Sequence, residues 1–349
     1  MGSLVAEPPK PWIETPLIHS IPLSRAAGCN IFLKLDNLQP SGSFKSRGIG
    51  NMMFRAAAAH PSQNVHFFCS SEGNAGLACA TSAIALGAKA TIVVPVTAAP
   101  AVIKRLRDVL GATVVQTGEN WPEADAYLRT VLLAPENQPP NTVAVYVPPF
   151  DHPDIWAGAA IMIDEIALQM PPSTPVDAIA CSVGGGGLLN GVMEGFERHG
   201  KRLGRYGLPP KVLALETVGA DSLNASVRAG EHVKLPAITS IAKSLGATRV
   251  SAKSWEWATK RENLISSTVT DAEAAVACVR FLDDMRILVE PACGATVVTA
   301  YNGDLRRHVG EGLSDDEWAT RNVVLVVCGG SNANLDVIQA YRETYGTHS

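Results

Sequence analysis

The sequence predicts an α/β protein in which mostly parallel sheets are covered by helices on both faces. Short runs of apolar and β-branched residues alternate along the chain with longer segments in which apolar residues recur at helical spacing. The short runs contain few polar positions, which is typical of strands buried on both faces of a parallel sheet. Three of these runs continue directly into glycine-bearing turns, as expected where a parallel strand leads into a helix beside a ligand.

Two sets of segments carry this prediction. The expected strands are Val65–Cys69, Ala90–Val94, Thr113–Gln116, Val143–Val147, Val176–Cys181, Val212–Glu216 and Val323–Cys328. The expected helices are Asn74–Leu86, Ala101–Leu110, Pro122–Leu133, Pro153–Met170, Leu188–His199, Asp271–Met285 and Asn334–Tyr345. Several of these helices are expected to end where glycine follows, at Gly87, Gly111 and Gly200, because glycine readily closes a helix.

Composition excludes several classes of protein. The 349 residues are 46% hydrophobic and 18% charged, which is enough apolar material for two modest domains or one large one. A formal net charge of -4 gives no electrostatic reason to expect nucleic acid. No apolar run approaches the ~18 residues of a membrane span, and no signal peptide is recognisable. The seven cysteines include no CxxC pair, which favours reduced thiols and a cytoplasmic protein.

The run Gly184–Gly187 is the strongest local indication of a phosphate-binding turn. Without Cβ atoms the backbone can close around phosphate oxygens, and the helix expected from Leu188 adds the positive end of its dipole. A dinucleotide fingerprint does not fit, because its third glycine would fall on Leu189 or Asn190, and no GxxxxGK[ST] string occurs. A nucleotide-dependent enzyme stays open as an alternative, because Glu216 ends the next strand where a ribose ligand would stand.

A lysine with small neighbours stands early in the chain, in the segment PSGSFKSRG at residues 40–48. An isolated lysine is usually a surface charge, but this one is followed by SSEGNAG, SVGGGGL and VCGGSN, each after an expected strand. In that order, and with supporting segments at residues 148–151, 216–220 and 287–295, the chain resembles the fold-type II pyridoxal-phosphate (PLP) enzymes. Among these it is most similar to the L-serine/L-threonine dehydratases, also called ammonia-lyases.

The resemblance implies an architecture and a set of partners. Two domains would each contain a mostly parallel sheet covered by helices, as in the tryptophan synthase β-like fold. Residues 1–40 and 151–349 would form a large PLP-binding domain, and residues 41–150 a small mobile domain that carries the lysine and the substrate-carboxylate loop. The Pro-rich passage at residues 135–149 marks the expected boundary. The family also implies a homodimer that acts on a small amino acid, with no nucleic-acid or membrane partner.

The resemblance also implies which residues hold the cofactor. Lys45 would bind PLP as a Schiff base and move the α-proton of the substrate. Phe44 and Phe150 would flank the pyridine ring, Asn74 would bond the ring hydroxyl, and Cys328 would face the ring nitrogen. The phosphate would be held by a run of backbone groups. That run is Gly184, Gly185, Gly186, Gly187 and Leu188.

Further residues are implied for the substrate and for a cation. The loop residues Ser71, Gly73 and Asn74 would bind the substrate carboxylate, with Ser71 also a catalytic candidate. Some members of the family bind a monovalent cation such as K+. The positions that correspond to that cation site are Glu216, Ala220, Leu245 and Ala247.

The implied reaction is β-elimination. The imine-linked ring of PLP delocalises the charge left when an amino acid loses its α-proton. Loss of the β-hydroxyl then converts L-serine or L-threonine into a 2-keto acid and ammonia. A thiol is a weak donor and acceptor, so Cys328 indicates a ring nitrogen that is not firmly protonated, which favours prompt elimination.

Glu72 departs from the dehydratase pattern, which has Ala or Gly at this position of the carboxylate loop. A carboxylate there would repel the substrate carboxylate unless it turns to solvent, is protonated or pairs with a cationic group. The alternative function is therefore elimination, replacement or racemisation of another β-substituted amino acid, with Glu72 as a catalytic acid/base or specificity residue. A noncatalytic amino-acid sensor is a further alternative, which the intact Lys45 and Cys328 disfavour.

Overall fold

The structure is a computed structural model that describes residues 9–346. Ten strands lie within these residues. They are β1 Leu17–His19, β2 Asn30–Lys34, β3 Asn64–Ser70, β4 Lys89–Val94, β5 Thr113–Gln116, β6 Thr142–Tyr146, β7 Ala178–Ser182, β8 Lys211–Thr217, β9 Leu264–Val269 and β10 Asn322–Val326. All of the strands expected from the sequence are present, and β1, β2 and β9 are additional.

Fourteen α-helices lie in the same part of the chain. They are α1 Ile21–Ala27, α2 Lys45–Ala59, α3 Asn74–Ala85, α4 Pro100–Lys104, α5 Trp121–Tyr127, α6 Pro153–Gln169, α7 Gly187–Leu203, α8 Ser222–Ala229, α9 Ala252–Lys260, α10 Asp271–Met285, α11 Pro291–Val297, α12 Asp304–Val309, α13 Asp315–Ala319 and α14 Leu335–Tyr345. Helices α4 and α5 continue as π-helical turns, Arg105–Val109 and Leu128–Leu132. Between residues 9 and 346, no helix is long and apolar enough to cross a bilayer.

One expected helix end is wrong. Helix α7 continues through Gly200 and ends at Leu203. Gly200 is needed for close packing rather than for ending the helix, because a Cβ at this position would lie 3.1 Å from Cβ of Pro209. Gly87 and Gly111 do follow helical segments and have positive φ angles of 62° and 64°, as expected for closing glycines.

The described residues divide into two units. The first contains residues 9–13, Gln39–Ser41 and Lys45–Gly158, and the second contains Glu14–Leu38, Gly42–Phe44 and residues 159–346. The predicted boundaries, at 40/41 and 150/151, differ from this division. Residues 42–44 group with the second unit, and the later boundary falls within α6.

The first unit contains a four-stranded parallel sheet in the order β5-β4-β3-β6. Successive side chains of a strand point to opposite faces. Accordingly, Phe67 and Cys69 of β3 pack in a core that includes Leu77 of α3, whereas Phe68 packs with Leu128, which follows α5. Helical segments therefore cover both faces, and the loop after β3 emerges at the carboxyl edge of the sheet.

The second unit contains a six-stranded sheet in the order β1-β2-β10-β7-β8-β9. Strand β1 is antiparallel to β2, and the other neighbouring strands are parallel. The central strands are buried throughout, because helices cover them on both faces. The predicted α/β class with mostly parallel, helix-covered sheets is confirmed in both units.

Candidate active site

The run Gly184–Gly187 connects β7 to α7 in the second unit. Gly186 has a φ angle of 97°, and a Cβ on it would lie 2.0 Å from Oγ of Ser254. A Cβ on Gly184 would lie 3.0 Å from Cα of Leu245. Helix α7 begins at Gly187 without a side-chain cap, so its first N–H groups are available to an anion. The turn has no room for a side chain at Gly184 or Gly186, and its backbone can bind phosphate.

A buried polar network supports this turn. The N–H of Ser251 donates to the Gly185 carbonyl at 3.0 Å, and Oγ of Ser254 donates to the Gly186 carbonyl at 3.3 Å. Ser254 Oγ also lies 2.8 Å from Oδ1 of Asn190, whose Nδ2 donates to Ser251 Oγ at 3.0 Å. All three side chains are buried, so these bonds fix the direction of the turn's carbonyls.

Cys328 lies beyond the end of β10, which neighbours β7 in the sheet. It is buried, and its Sγ lies 3.5 Å from Oγ of Ser182 at the end of β7. A hydrogen bond with the Cys293 thiol, together with burial, raises the pKa of Cys328 well above its usual range. The N–H of Phe44 donates to the Cys328 carbonyl at 3.0 Å. The second unit therefore places Phe44, Cys328 and the strand leading into the glycine turn in one region.

Lys45 is the first residue of α2 in the first unit. Its Nζ donates a hydrogen bond to the Pro149 carbonyl at 2.6 Å and lies 6.0 Å from the centroid of the Phe150 ring. Residues 148–150 follow β6. Two of the predicted cofactor residues, Lys45 and Phe150, are therefore brought together within this unit.

The loop at residues 71–73 connects β3 to α3 at the same edge of the first sheet. Oγ of Ser71 accepts a hydrogen bond from the N–H of Gly73 at 3.2 Å, and α3 begins at Asn74 without a side-chain cap. A Cβ on Gly76 would lie 2.0 Å from the Ser71 carbonyl oxygen, so glycine lets the loop pack directly on the helix. Backbone N–H groups at such a helix start suit a carboxylate ligand.

Glu72 lies at the exposed position of this loop. Among residues 9–346 its carboxylate makes no hydrogen bond and no ion pair. Nearby protein atoms still exclude some water, and this partial burial raises the pKa of Glu72. The carboxylate is therefore easier to protonate than an ordinary surface glutamate.

Comparison with known proteins identifies the family. Residues 10–329 match the family described as "Pyridoxal-phosphate dependent enzyme". The chain belongs to this family. This PLP-dependent enzyme is 42% identical over 334 residues to L-serine dehydratase/L-threonine deaminase of Bos taurus, covering 96% of each chain. It is 43% identical over 334 residues to a serine dehydratase-like protein of Homo sapiens, covering 96% of this chain and 95% of the relative.

A solved structure agrees with the sequence relatives. The PLP-dependent enzyme superposes on a fungal L-serine ammonia-lyase from Rhizomucor miehei with a TM-score of 0.83 at 35% identity. The match covers 96% of this chain and 99% of that one. The resemblance to the fold-type II PLP enzymes and to the dehydratases among them is confirmed.

The residues predicted for a cation lie in two segments of the PLP-dependent enzyme. Glu216 of β8 is buried, and its two oxygens accept hydrogen bonds from the N–H groups of Leu223 at 2.9 Å and Asn224 at 2.7 Å. Burial raises the pKa of Glu216 to about 8. Leu245 and Ala247 lie in a separate turn, where the N–H of Ala247 donates to the Leu245 carbonyl at 2.7 Å. Throughout residues 9–346, His, Cys, Asp and Glu form no cluster of three that could hold a metal ion.

The side chains that support the glycine turn were not predicted from the sequence. Ser251 is the cap of α9, and its Oγ accepts from the N–H of Ser254 at 3.2 Å. The pair Ser251 and Ser254 could have indicated a helix start. Nothing in the sequence indicated that this helix start meets a turn more than sixty residues away.

Proposed function

We propose that this protein is a lyase that converts L-serine and L-threonine into 2-keto acids and ammonia by β-elimination. The observation that carries the proposal is Lys45 at the start of α2, in a chain 42% identical over 96% of its length to the bovine L-serine dehydratase/L-threonine deaminase. The glycine turn and Cys328 accompany it in the order typical of that family. These residues fit an amino-acid lyase better than a nucleotide enzyme or a noncatalytic sensor.

The chain's own residues fit PLP. The turn at residues 184–187 excludes side chains and ends at the uncapped start of α7, which supports phosphate binding by its backbone and by Leu188. We assign Phe44 and Phe150 to the ring faces, Asn74 to the ring hydroxyl and Cys328 to the ring nitrogen. When bound, PLP supplies a conjugated ring that delocalises the charge left on Cα after deprotonation.

Lys45 has two roles in this proposal. Its amine would hold the cofactor as a Schiff base, and the same Nζ, once released, would act as the base for the α-proton of the substrate. The Pro149 carbonyl accepts one N–H of this amine at 2.6 Å and so directs the nitrogen. Positioning of the base within hydrogen-bond reach of the proton is the first requirement for general base catalysis.

Two other groups act on the substrate and on the ring nitrogen. Ser71, Gly73 and Asn74 would bind the substrate carboxylate through the loop and the N-terminus of α3, and the Ser71 hydroxyl is a further candidate for proton transfer. The thiol of Cys328 stays neutral, because its pKa lies well above its usual range. A neutral thiol would not fix a proton on the ring nitrogen, which would favour prompt loss of the β-hydroxyl.

The test is turnover of L-serine and of L-threonine, each by the PLP-loaded protein, with 2-keto acid and ammonia measured together. We expect equal amounts of both products. Lys45→Ala should lower the rate by about 1000-fold or more, because the same side chain binds the cofactor and moves the proton. Lys104→Ala, an exposed lysine of the same unit, is the matched control. A PLP-loaded protein that turns over neither amino acid would refute the proposal.

Glu72 supports a second candidate function. Its exposed carboxylate has no partner within the described residues and a raised pKa, and it lies in the loop that we propose for the substrate carboxylate. An acid or base at this place would suit elimination, replacement or racemisation of another β-substituted amino acid. Glu72→Ala tests this candidate. Gain of serine elimination together with loss of another reaction would support it, and no change in either would count against it.

We further propose that K+ binds at Glu216, Ala220, Leu245 and Ala247. The support is the carboxyl group of Glu216, whose two oxygens lie buried at the end of β8 and whose pKa burial raises to about 8, so that a bound cation would take the place of its proton at neutral pH. The test is thermal unfolding in KCl and in choline chloride at equal ionic strength. Stabilisation by KCl that is lost in Glu216→Gln would support the site, and equal stability in the two salts would exclude it.

We also propose that the enzyme acts in the cytoplasm as a homodimer. The seven cysteines are all buried and free, a use of cysteine that is typical of a reducing compartment. The family resemblance supports pairing of the chains. Sedimentation equilibrium tests the assembly: twice the mass of one chain is expected, and the mass of a single chain would contradict it.

A further inference from the structure

A closed polar network lies at the carboxyl edge of the first sheet and centres on Asp125 of α5. Oδ1 of Asp125 accepts hydrogen bonds from Oγ of Ser70 at 2.5 Å and from the hydroxyl of Tyr146 at 2.8 Å. Oδ2 accepts from Nε of Arg129 at 2.7 Å, and Nη2 of Arg129 donates to the Tyr146 hydroxyl at 2.7 Å. Asp125 is only 8% exposed, so these charge-assisted bonds form in a poorly hydrated place.

Each of the two hydroxyl donors is the last residue of a strand of the sheet. Ser70 is the last residue of β3, and Tyr146 is the last residue of β6, which is paired with β3. Ser70 leads directly into the loop at residues 71–73. Tyr146 leads into the segment whose Pro149 carbonyl holds Nζ of Lys45. One carboxylate therefore contacts the last residue before each of the two segments that carry the proposed chemistry.

Helix α5 holds Ser70 by its backbone as well. Nε1 of Trp121 donates to the Ser70 carbonyl at 2.7 Å, so both the side chain and the main chain of Ser70 are bound to this helix. A buried carboxylate is costly unless it is paired and hydrogen-bonded. An apolar side chain at position 125 would contribute packing alone. The carboxylate of Asp125 also fixes the orientation of Ser70 and Tyr146 at the ends of their strands.

We propose that Asp125 is a positioning residue that, through Ser70, orients the loop at residues 71–74 and, through Tyr146, orients the Pro149 carbonyl and hence Lys45. The consequence for substrate binding rests on the proposed function. The effect on the two segments does not, because it follows from the hydrogen bonds alone.

The test is hydrogen-deuterium exchange of the full-length, PLP-loaded protein, read by mass spectrometry. Asp125→Ala should speed exchange by about tenfold in residues 71–76 and in residues 147–156, as expected for the loss of about 1.4 kcal/mol of local stability. Ser70→Ala should affect only the first segment, and Tyr146→Phe only the second. These two variants each remove a single hydroxyl, so they decide the question even where Asp125→Ala does not fold.

Asp177→Ala is the matched control. Asp177 is also a buried carboxylate paired with arginines, Arg205 at 2.7 Å and Arg321 at 3.1 Å, but it precedes β7 in the second unit. Its loss should lower the melting temperature without faster exchange in residues 71–76 or 147–156. A merely structural role for Asp125 would give the same result as this control.

Kinetics separate the inference from the proposed function. We expect the KM for L-serine to rise about tenfold in Asp125→Ala and Ser70→Ala, because the carboxylate loop loses its orientation. Unchanged hydrogen exchange in both segments of the variants would overturn the positioning role of Asp125. Turnover of L-serine by the wild-type protein would in that case still support the proposed lyase activity. Faster exchange in residues 71–76 and 147–156 of Asp125→Ala, without turnover of L-serine by the wild-type protein, would support the positioning role and refute the proposed lyase activity.

Discussion

The turn at residues 184–187 and the loop at residues 71–73 both follow a buried parallel strand and both precede a helix without a side-chain cap. Their surroundings differ. The glycine turn is bonded to buried Ser251 and Ser254, and a Cβ on Gly186 would clash with Oγ of Ser254. The loop is partly exposed and includes Glu72, whose carboxylate has no partner among residues 9–346.

This difference fits the two tasks that we propose for these segments. A phosphate-binding turn must present its N–H groups in a fixed direction, and buried bonds to its carbonyls provide that rigidity. A loop that recognises the substrate must instead discriminate between amino acids, and surface loops tolerate the residue changes that alter such recognition. Rigid support of the glycine turn and, within residues 9–346, a Glu72 carboxylate without a partner are consistent with the proposed cofactor and substrate roles of these two segments.

Substitution of Gly186 in the glycine turn should change PLP affinity more than the other substitutions described below. Gly186→Ala should weaken PLP binding by on the order of a hundredfold, because the new Cβ would both strain a φ of 97° and overlap Ser254 Oγ. Gly230→Ala is the control, since Gly230 has a φ of 71° but a Cβ there meets no described atom within 4 Å. It should lose about 1 kcal/mol of stability with unchanged PLP affinity. Titration with PLP measures the affinity of both variants. Normal affinity in Gly186→Ala would contradict the proposal that the glycine turn must be rigid to bind phosphate.

A second effect distinguishes the buried carboxylate of the second unit from the exposed one. Glu216 keeps its proton in the folded protein up to a pKa of about 8, whereas the unfolded chain releases it near the usual 4.5. The folded state therefore binds more protons between these values, and stability should fall by up to a few kcal/mol as pH rises through this range. Urea unfolding as a function of pH measures it. Glu216→Gln should remove the fall, and an equal fall in the variant would assign it to other groups.

A smaller effect concerns the support of the turn. Ser254→Ala should weaken PLP binding by about five- to tenfold, the consequence of losing about 1 kcal/mol in hydrogen bonds to Gly186 and Asn190. Ser226→Ala is matched to it, because Ser226 is also buried and bonds Ser222 and Val233. Equilibrium binding should change only in the first variant, although both lose stability. Equal PLP affinities would show that the turn holds phosphate without its serines.

The smallest effect tests the exposed loop. Glu72→Gln should lower the KM for L-serine by about two- to fivefold, because it removes a charge that repels the substrate carboxylate at a partly hydrated position. Stability should be nearly unchanged. Glu136→Gln, an exposed glutamate of the same unit, is the control. Steady-state kinetics decide, and loss of turnover rather than a lower KM would make Glu72 an acid or base in the reaction.

The sequence predicted the fold where the strands are uniformly apolar and not where polar residues interrupt them. Strand β9 contains Ser266 and Ser267, and β2 ends at Lys34, so neither has the continuous apolar character of a buried strand. Lys34 is nevertheless fully buried, because its Nζ pairs with Glu165 at 2.6 Å. A pairing between residues so far apart in the chain has no local signal.

In the candidate site, the residues that lie in short sequence motifs were predictable, and those that depend on distant contacts were not. Lys45, the glycine turn and Cys328 stand in short segments whose order indicates the family, so the sequence alone names them. Asp125 does not lie in such a segment. In the sequence it matches the common pattern of an acidic helical residue with a basic one, Arg129, four positions later. Its contacts with Ser70 and Tyr146 depend on the pairing of two strands, which only the folded sheet establishes.

The most direct test of the account is to find the lysine that carries the cofactor. Reduction of the PLP-loaded protein with borohydride, followed by proteolysis and peptide mass spectrometry, fixes PLP on that residue. We expect modification of Lys45, in the peptide that contains the start of α2. Modification of a different lysine, such as Lys243 or Lys253 of the second unit, would contradict it.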